Sequence, residues 1–519
     1  MEKSKIYKLL SELDGLKWNL TYKGVFVGLI TGILVSLYRL GIEFGTEKAV
    51  EAYRILAANP IYILPWLLAI AFVSWITYKL IQLEPYAKGS GIPQVEGIVL
   101  LGMKMKWYTI LIVRFAAGLL TSFFGVSVGR EGPSIQIGAS GAQALCKTIS
   151  KNKVEKNYLI TAGAAAGLST AFNAPLSGIV FALEEVHRSF SPYILVAATT
   201  ASLTANLISN LIFGLRPVLD FLNVPELPLR FYFWLLVVGL ASGVVGSLIN
   251  ICLLRAGLLY EKIPAFCRPA LALLLALPCG LFLPQVLGGG QNLIKLATGA
   301  QEGVVILFIL LAVKLLFTSI CFGSGIPGGI FLPILSMGAL TGSILGEAAV
   351  RFGLPAEYIP VFCVCAMAGA MSSSVKAPVT SVLLMAEMTG SLVQMLPVVL
   401  SAFIALFASD LLKITPIYEV LLHRIVSEAP EKDEDVKSNR TLIEVPVELG
   451  CRVAEKKIKE VNWPAGLLIV SLRRGNEEIV PNGDTQIHQG DYLVVLSSMR
   501  KYEEMNCLMG SLCHSEPVQ

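Results

Sequence analysis

Apolar residues run on for about 20 positions at a time along most of this chain, with neither the alternation of a half-buried strand nor a wide polar stripe. The runs at 25–43, 59–77, 109–124, 194–214, 231–255, 269–287, 303–319 and 391–412 each predict a bilayer-crossing helix. Two further stretches, 125–190 and 321–390, are apolar but cut by Gly, Ser and Pro. They predict interrupted helices, which a membrane tolerates only inside protein or beside a cavity.

The pattern changes near residue 426. "SEAPEKDEDVKSNR" is charged and polar and reads as a linker, 426–440. Beyond it, "RTLIEVPVELGC", "PAGLLIVSLRR" and "GDYLVVLSS" predict short strands, and "RVAEKKIKEV" has helical periodicity. The expectation is a small α/β domain at 441–510 behind a membrane domain at 1–425.

Composition agrees. Of 519 residues, 55% are hydrophobic and only 15% charged, against about 25% charged in soluble domains; mean hydropathy is +0.68. A net charge of +4 says little about partners, and nothing points to nucleic acid. The close cysteine pair, Cys363 and Cys365, reads as helix packing, so no metal or cofactor is expected. The opening "MEKSKIYKLLSELDGLKWNL" lacks the apolar core and cleavage site of a leader, and its lysines predict a cytoplasmic N-terminus.

The chain is duplicated. A shift of 200 sets "LLTSFFGVSVGREGPSIQIG" (from 119) over "LLFTSICFGSGIPGGIFLPILSMG" (from 315), pairing Gly125, Gly129, Pro133 and Gly138 with Gly325, Gly329, Pro333 and Gly338. It also pairs two lone intramembrane cations, Arg114 and Lys314. A shift of 203 pairs Ser169, Ala174, Pro175 and Glu184 with Ser372, Ala377, Pro378 and Glu387. Repeats of about 20–215 and 230–425 with breaks at matching places predict a transporter whose site lies where the broken helices meet. "GSGIP" occurs at 89–93 and 323–327, offset by 234, so the two copies are not equivalent positions of the repeat. Each predicts a turn that delivers a helix N-terminus into the interior.

Converging helix N-termini bind an anion with backbone N–H groups and partial charges, weakly enough for release. "GSGIP" adds a hydroxyl, and "GREGP" and "GGIFLP" add further amides. A Ser in such a turn also suits the nucleophile of an intramembrane hydrolase, a reading of another class, but that needs a base. The four histidines, His187, His423, His488 and His514, flank helix ends or lie in the tail, and none sits beside a GSGIP segment.

"GSGIP" (89–93), "GREGP" (129–133) and "GGIFLP" (328–333), in that order, resemble the three signature segments of the CLC family of chloride channels and chloride/proton exchangers, as do "NAPLSGIVFALEEV" and "AEMTG". The resemblance covers about residues 20–425. It implies an all-α polytopic membrane protein of two inverted repeats with broken helices, working as a homodimer with one anion pathway per subunit. It implies that Ser90, Tyr418 and the amides of Ile330 and Phe331 bind a central chloride, with Gly129, Arg130 and Gly132 also at the anion site. Glu131 matches the gating glutamate, and Glu185 the internal glutamate of many exchangers, so both stand on a proton pathway.

The expected function is chloride transport coupled to protons, with a passive, voltage- or pH-gated chloride channel as the alternative. Glu184, repeated as Glu387, is expected to be structural. Lys314 is expected to bind helix C-terminal carbonyls, and Arg114 either does the same or biases the anion potential. The tail resembles the C-terminal subdomain of RCK (TrkA-type) regulators, which implies dimer bracing or a small-molecule ligand. Both termini are expected in the cytoplasm and the protein in a prokaryotic plasma membrane.

Overall fold

The computed structural model describes residues 2–150, 152–215, 217–219, 225–299, 302–428, 440–447, 451, 453–464, 467–474, 477–498, 509, 512 and 513. Residues 429–439 of the expected linker, and His514, lie outside the described residues. The chain divides into two compact units, Met1–Leu100 with Lys104–Leu422, and Leu101–Met103 with His423–Gln519.

The first unit is helical. Its first half runs α1 (Glu2–Ala58), α2 (Ile63–Leu83), α3 (Ile92–Leu101), α4 (Trp107–Ser122), α5 (Glu131–Ile149), α6 (Lys153–Phe172), α7 (Pro175–Phe181) and α8 (Pro192–Phe213). The second repeats the series as α9 (Phe233–Glu261), α10 (Arg268–Phe282), α11 (Gln291–Gly299), α12 (Val304–Gly323), α13 (Phe331–Val350), α14 (Ile359–Val375), α15 (Pro378–Thr389) and α16 (Met395–Leu411), and α17 (Ile417–Glu428) follows. Every run predicted to cross a bilayer falls on one of these helices. The central pair α13 and α14 is 83% and 89% buried over its apolar windows, whereas α2 is 22% buried. The interrupted helices are therefore shielded by outer ones, as their open backbone ends require.

Hydrogen bonds repeat across the halves. Gly129 and Gly329 form an antiparallel bridge, Gly129 N to Gly329 O at 2.7 Å and Gly329 N to Gly129 O at 2.6 Å. Reciprocal bonds between equivalent residues are what a twofold axis produces. Gly89 N to Gly325 O is matched by Gly288 N to Gly125 O. The repeat partner of the first GSGIP is thus "GGGQN" (288–292), and the second GSGIP is the turn into α13.

The buried carboxylates and cations follow the same symmetry. Glu184 accepts from Val379 N, Thr380 N and Thr380 Oγ1 at the start of α15, at 3.3, 2.8 and 2.6 Å. Glu387 does the same for Leu176 N, Ser177 N and Ser177 Oγ at the start of α7, at 2.9, 2.7 and 2.6 Å. Each half thus caps a helix N-terminus of the other, where a negative charge opposes the helix dipole favourably. Lys314 donates to the carbonyls of Val286 and Gly288 at 2.9 and 2.7 Å. Arg114 donates to Gly89 O at 2.5 Å and Lys88 O at 3.5 Å. Both cations are backbone clamps on the loops before α11 and α3.

In the second unit β1 (Arg440–Pro446), β2 (Leu468–Arg474), β3 (Glu477–Ile479) and β4 (Tyr492–Ser498) form an antiparallel sheet in the order β1-β4-β2-β3, over a core that includes Val445, Val453, Leu472, Ile487 and Leu493. The helix expected over "RVAEKKIKEV" is absent among the described residues, which hold turns and one short 3-10 turn, Ile458–Glu460. The backbone of Glu455, Ile458 and Lys459 donates instead to Ile487, Thr485 and Gly483, so a neighbouring segment takes the amides that a helix would use. Burial raises the Asp491 carboxyl, but paired bonds from Arg474 at 2.9 Å and one from the His488 amide at 2.8 Å outweigh it and hold the group below its ordinary value.

Glu184→Ala and Glu387→Ala are each expected to lower unfolding free energy by about 1–2 kcal/mol, and by similar amounts, in thermal melts of the detergent-solubilised protein. Because the Asp491 carboxyl is depressed on folding, its stabilisation is present above the ordinary aspartate value of about 3.9 and fades as pH falls through the folded value. Hydrogen-exchange protection of β2 and β4 should drop in acid, and Asp491→Asn should remove that dependence.

Candidate functional site

Two turns set the site. Positive φ at Gly125 (67°) and Gly325 (81°) reverses the chain before α5 and α13, a conformation that only glycine adopts without strain. The Gly129–Gly329 bridge then fixes the two turns together, so the first amides of α5 and α13 open toward one place. Ser90 closes it from the loop before α3. A Cβ on Gly132 would stand 2.7 Å from Ser90 Oγ and nearer still to its carbonyl oxygen, so only glycine lets α5 approach Ser90. Arg114 also bonds Gln136, while Gln94 Nε2 donates to Lys88 O at 2.8 Å. The carbonyls before Ser90 are thereby held by side chains of α3 and α4.

Tyr418, on α17, stacks on Phe331 with ring centroids 6.0 Å apart, and Phe331 meets Phe181 edge-on at 5.5 Å. Tyr418, Phe331, Ile330 and Glu131 are fully buried, and Ser90 is nearly so. The hydroxyls of Ser90 and Tyr418 make no hydrogen bond of ordinary geometry among the described residues, though they lie near enough to act on each other. Ser324, in the second GSGIP, spends its hydroxyl on Cys321 O at 2.6 Å. His187 bonds Thr161 at 3.0 Å, and no imidazole among the described residues is bonded to Ser90. No three His, Cys, Asp or Glu side chains among the described residues converge as metal ligands.

Glu131 is the first residue of α5, and its carboxylate lies at the glycine bridge: a Cβ on Gly329 would stand 3.5 Å from Oε2. Neither oxygen makes a hydrogen bond of ordinary geometry among the described residues, and the nearby backbone amides of Glu131 and Leu332 act on the carboxylate. Beside it Arg130 donates to Glu43 at 2.5 Å, and Glu43 also accepts from Arg39 at 3.2 Å. A cavity of about 420 Å³ touches Arg130, Glu43, Val128, Lys295 and Leu332. Its lining includes Arg130, the residue before Glu131.

On the other side stands Glu185. His187 N donates to Ala182 O, five residues back, so this turn is widened to a π-turn, a form that recurs at functional sites. Glu184 points to α15 while Glu185 stays buried with Oε1 unpartnered. The sequence reading missed Glu96. It lies on α3, fully buried, with neither carboxylate oxygen hydrogen-bonded among the described residues and Arg188 Nη2 3.9 Å from Oε2. The charges of Glu96 and Glu185 act on each other, and both act on Tyr418. The signal was a carboxylate inside the apolar run "IPQVEGIVLL", six residues past Ser90.

The voltage gated chloride channel family model matches residues 69–410, and the TrkA-C domain model matches 442–506. The H(+)/Cl(-) exchange transporter ClcA of Vibrio cholerae serotype O1 (strain M66-2) is 32% identical over 453 residues, covering 84% of this chain and 96% of that protein. A slow cyanobacterial Cl-/H+ antiporter of known structure superimposes with a TM-score of 0.75 at 28% identity, over 79% of this chain and 99% of the other. A CLC-type fluoride/proton antiporter gives 0.63 at 25%, over 77% and 96%. The tail is a TrkA-C domain, and the helical unit, with its glycine-bridged turns between matched halves, places the chain in the voltage gated chloride channel (CLC) family, to which it belongs.

Proposed function

We propose that this chain exchanges chloride for protons across a membrane. Glu131 carries the reading: a wholly buried carboxylate with no side-chain partner among the described residues, beside the first amides of α5 and α13. A carboxylate and a chloride make the same demand on that place, an electropositive pocket of N–H groups carrying roughly half a unit charge per helix end. The ionised side chain competes with the anion. Protonated, it loses that preference and can withdraw toward the cavity beside Arg130, leaving the amides of Gly129, Arg130 and Gly132 to the anion. The central chloride is assigned to the Ser90 and Tyr418 hydroxyls and the amides of Ile330 and Phe331.

Protons would reach Glu131 by a separate route through Glu185 and Glu96, past Tyr418. A channel reading keeps Glu131 as a gate but leaves Glu96 and Glu185 with no task, and burying a carboxylate without one is unfavourable by several kcal/mol. Ser90 and the intact GREGP segment favour chloride over fluoride. Family resemblance supports a homodimer, with repeats at 20–215 and 230–425, a linker at 426–440 and a tail at 441–510. The lysines of the opening segment support a cytoplasmic N-terminus, and a cytoplasmic C-terminus and a prokaryotic plasma membrane are assigned with it. The tail is assigned to dimer bracing or a small-molecule ligand.

The test is simultaneous chloride and proton flux from purified protein in vesicles. Chloride movement that never drives protons against their gradient would establish the channel instead. Glu131→Ala is expected to keep chloride flux, now insensitive to pH, and to lose proton movement. Glu185→Gln should abolish proton movement while chloride flux persists. Glu96→Gln should slow proton flux by about a hundredfold or more, the contribution typical of a positioned proton-transfer group; unchanged coupling would remove Glu96 from the route.

A further inference from the structure

Between the start of α4 and the end of α5 lies a cavity of about 250 Å³ that transport leaves without a role. Three lysines line it, Lys106 before α4, Lys147 near the end of α5 and Lys156 in the first turns of α6. Among the described residues none of their ammonium groups is in an ion pair, and the nearby Glu155 is engaged by Lys23 at 2.5 Å. Lys147 Nζ stands 5.6 Å from the centre of the Trp107 ring. Trp107 and Gln143 also line the cavity. Among the described residues the buried Trp107 indole N–H has no acceptor and the buried Gln143 Oε1 has no donor. Gln143 Nε2 is already committed to Met105 O at 3.2 Å.

Three cations, one N–H donor and one unused acceptor suit a phosphate that carries a neighbouring hydroxyl. The volume is below the roughly 300–1,000 Å³ of sites for drug-sized molecules, which fits a headgroup better than a nucleotide. One rim is apolar. Tyr108, which lines the cavity, is 46% exposed, and Ile112, one turn along α4, is 60% exposed. An acyl chain can follow that face into the bilayer. Lysines with Trp and Tyr at a helix end mark the membrane interface, and the lysines add attraction to anionic lipid.

We propose that this cavity holds the phosphodiester headgroup of an anionic phospholipid. Lys106, Lys147 and Lys156 face the phosphate oxygens, the Trp107 N–H donates to one of them, and Gln143 Oε1 accepts a headgroup hydroxyl. The lipid tails lie along Tyr108 and Ile112.

The full chain in detergent, titrated with phosphatidylglycerol or with phosphatidylcholine of the same acyl chains and read by native mass spectrometry, tests this. Phosphatidylglycerol should be retained preferentially. The triple variant Lys106→Ala/Lys147→Ala/Lys156→Ala should weaken that retention about a hundredfold, at roughly fivefold per lysine. Trp107→Phe keeps an aromatic ring beside Lys147 but removes the N–H, and should weaken it several-fold. Should the triple variant fail to fold, Trp107→Phe and Lys106→Ala alone carry the same test. Equal retention of the two lipids, or retention unchanged in the variants, overturns the proposal. Inorganic phosphate at millimolar concentration should leave the bound lipid in place; displacement of the lipid by phosphate assigns the cavity to a free anion and overturns the lipid.

Discussion

Two short hydrogen bonds between Gly129 and Gly329 are the constraint on which the rest of the molecule turns. They join the breaks in the two halves at equivalent residues, so α5 and α13 begin side by side. A helix N-terminus left open inside a membrane exposes amides that lipid cannot satisfy. Pairing the breaks at one buried point turns this liability into a pocket of N–H groups. The surrounding small residues follow from the need to bring backbone that close. Gly132 lies against Ser90, and α5 and α6 cross with Gly138 and Gly163 against each other's carbonyls.

Buried charge in this protein divides by whether the fold satisfies it. Glu184, Glu387, Arg114 and Lys314 are each taken up by backbone or side-chain groups, and each secures a helix start or a loop. Glu131, Glu96 and Glu185 keep oxygens without a hydrogen bond of ordinary geometry among the described residues, Glu96 having only the more distant charge of Arg188. Structure needs the first set. The second set comprises the groups assigned to protons and anions.

Much of this was legible in the chain itself. Apolar run lengths located the outer helices, and the two register shifts found the symmetry down to Glu184 and Glu387, because residues that cap each other across a twofold axis must recur. Ser90, Glu131 and Glu185 were reachable through the signature segments. Tyr418 sits far along the chain in an ordinary "TPIYEVLL", and only the resemblance pointed to it; its stacking on Phe331 is a tertiary fact. Glu96 lies outside the GSGIP segment, further along α3, so the motif that marks Ser90 does not mark it. The tail misled because "RVAEKKIKEV" has the right period for a helix, and periodicity cannot register that residues 483–487 compete for the same amides.

The exchanged caps bear on how the protein is made. The start of α7 receives its carboxylate from Glu387, 211 residues later than Leu176. At about 5–20 residues per second, that carboxylate is synthesised roughly 10–40 s after the helix it serves. During that interval α7 has only water, lipid headgroups or the insertion machinery to meet its open amides. The first half therefore emerges from the ribosome as an incomplete object, and completion comes when the second half closes around it. Nascent chains stalled between the halves are the natural clients of membrane quality control, and a gene cut there would yield two pieces that finish folding on each other.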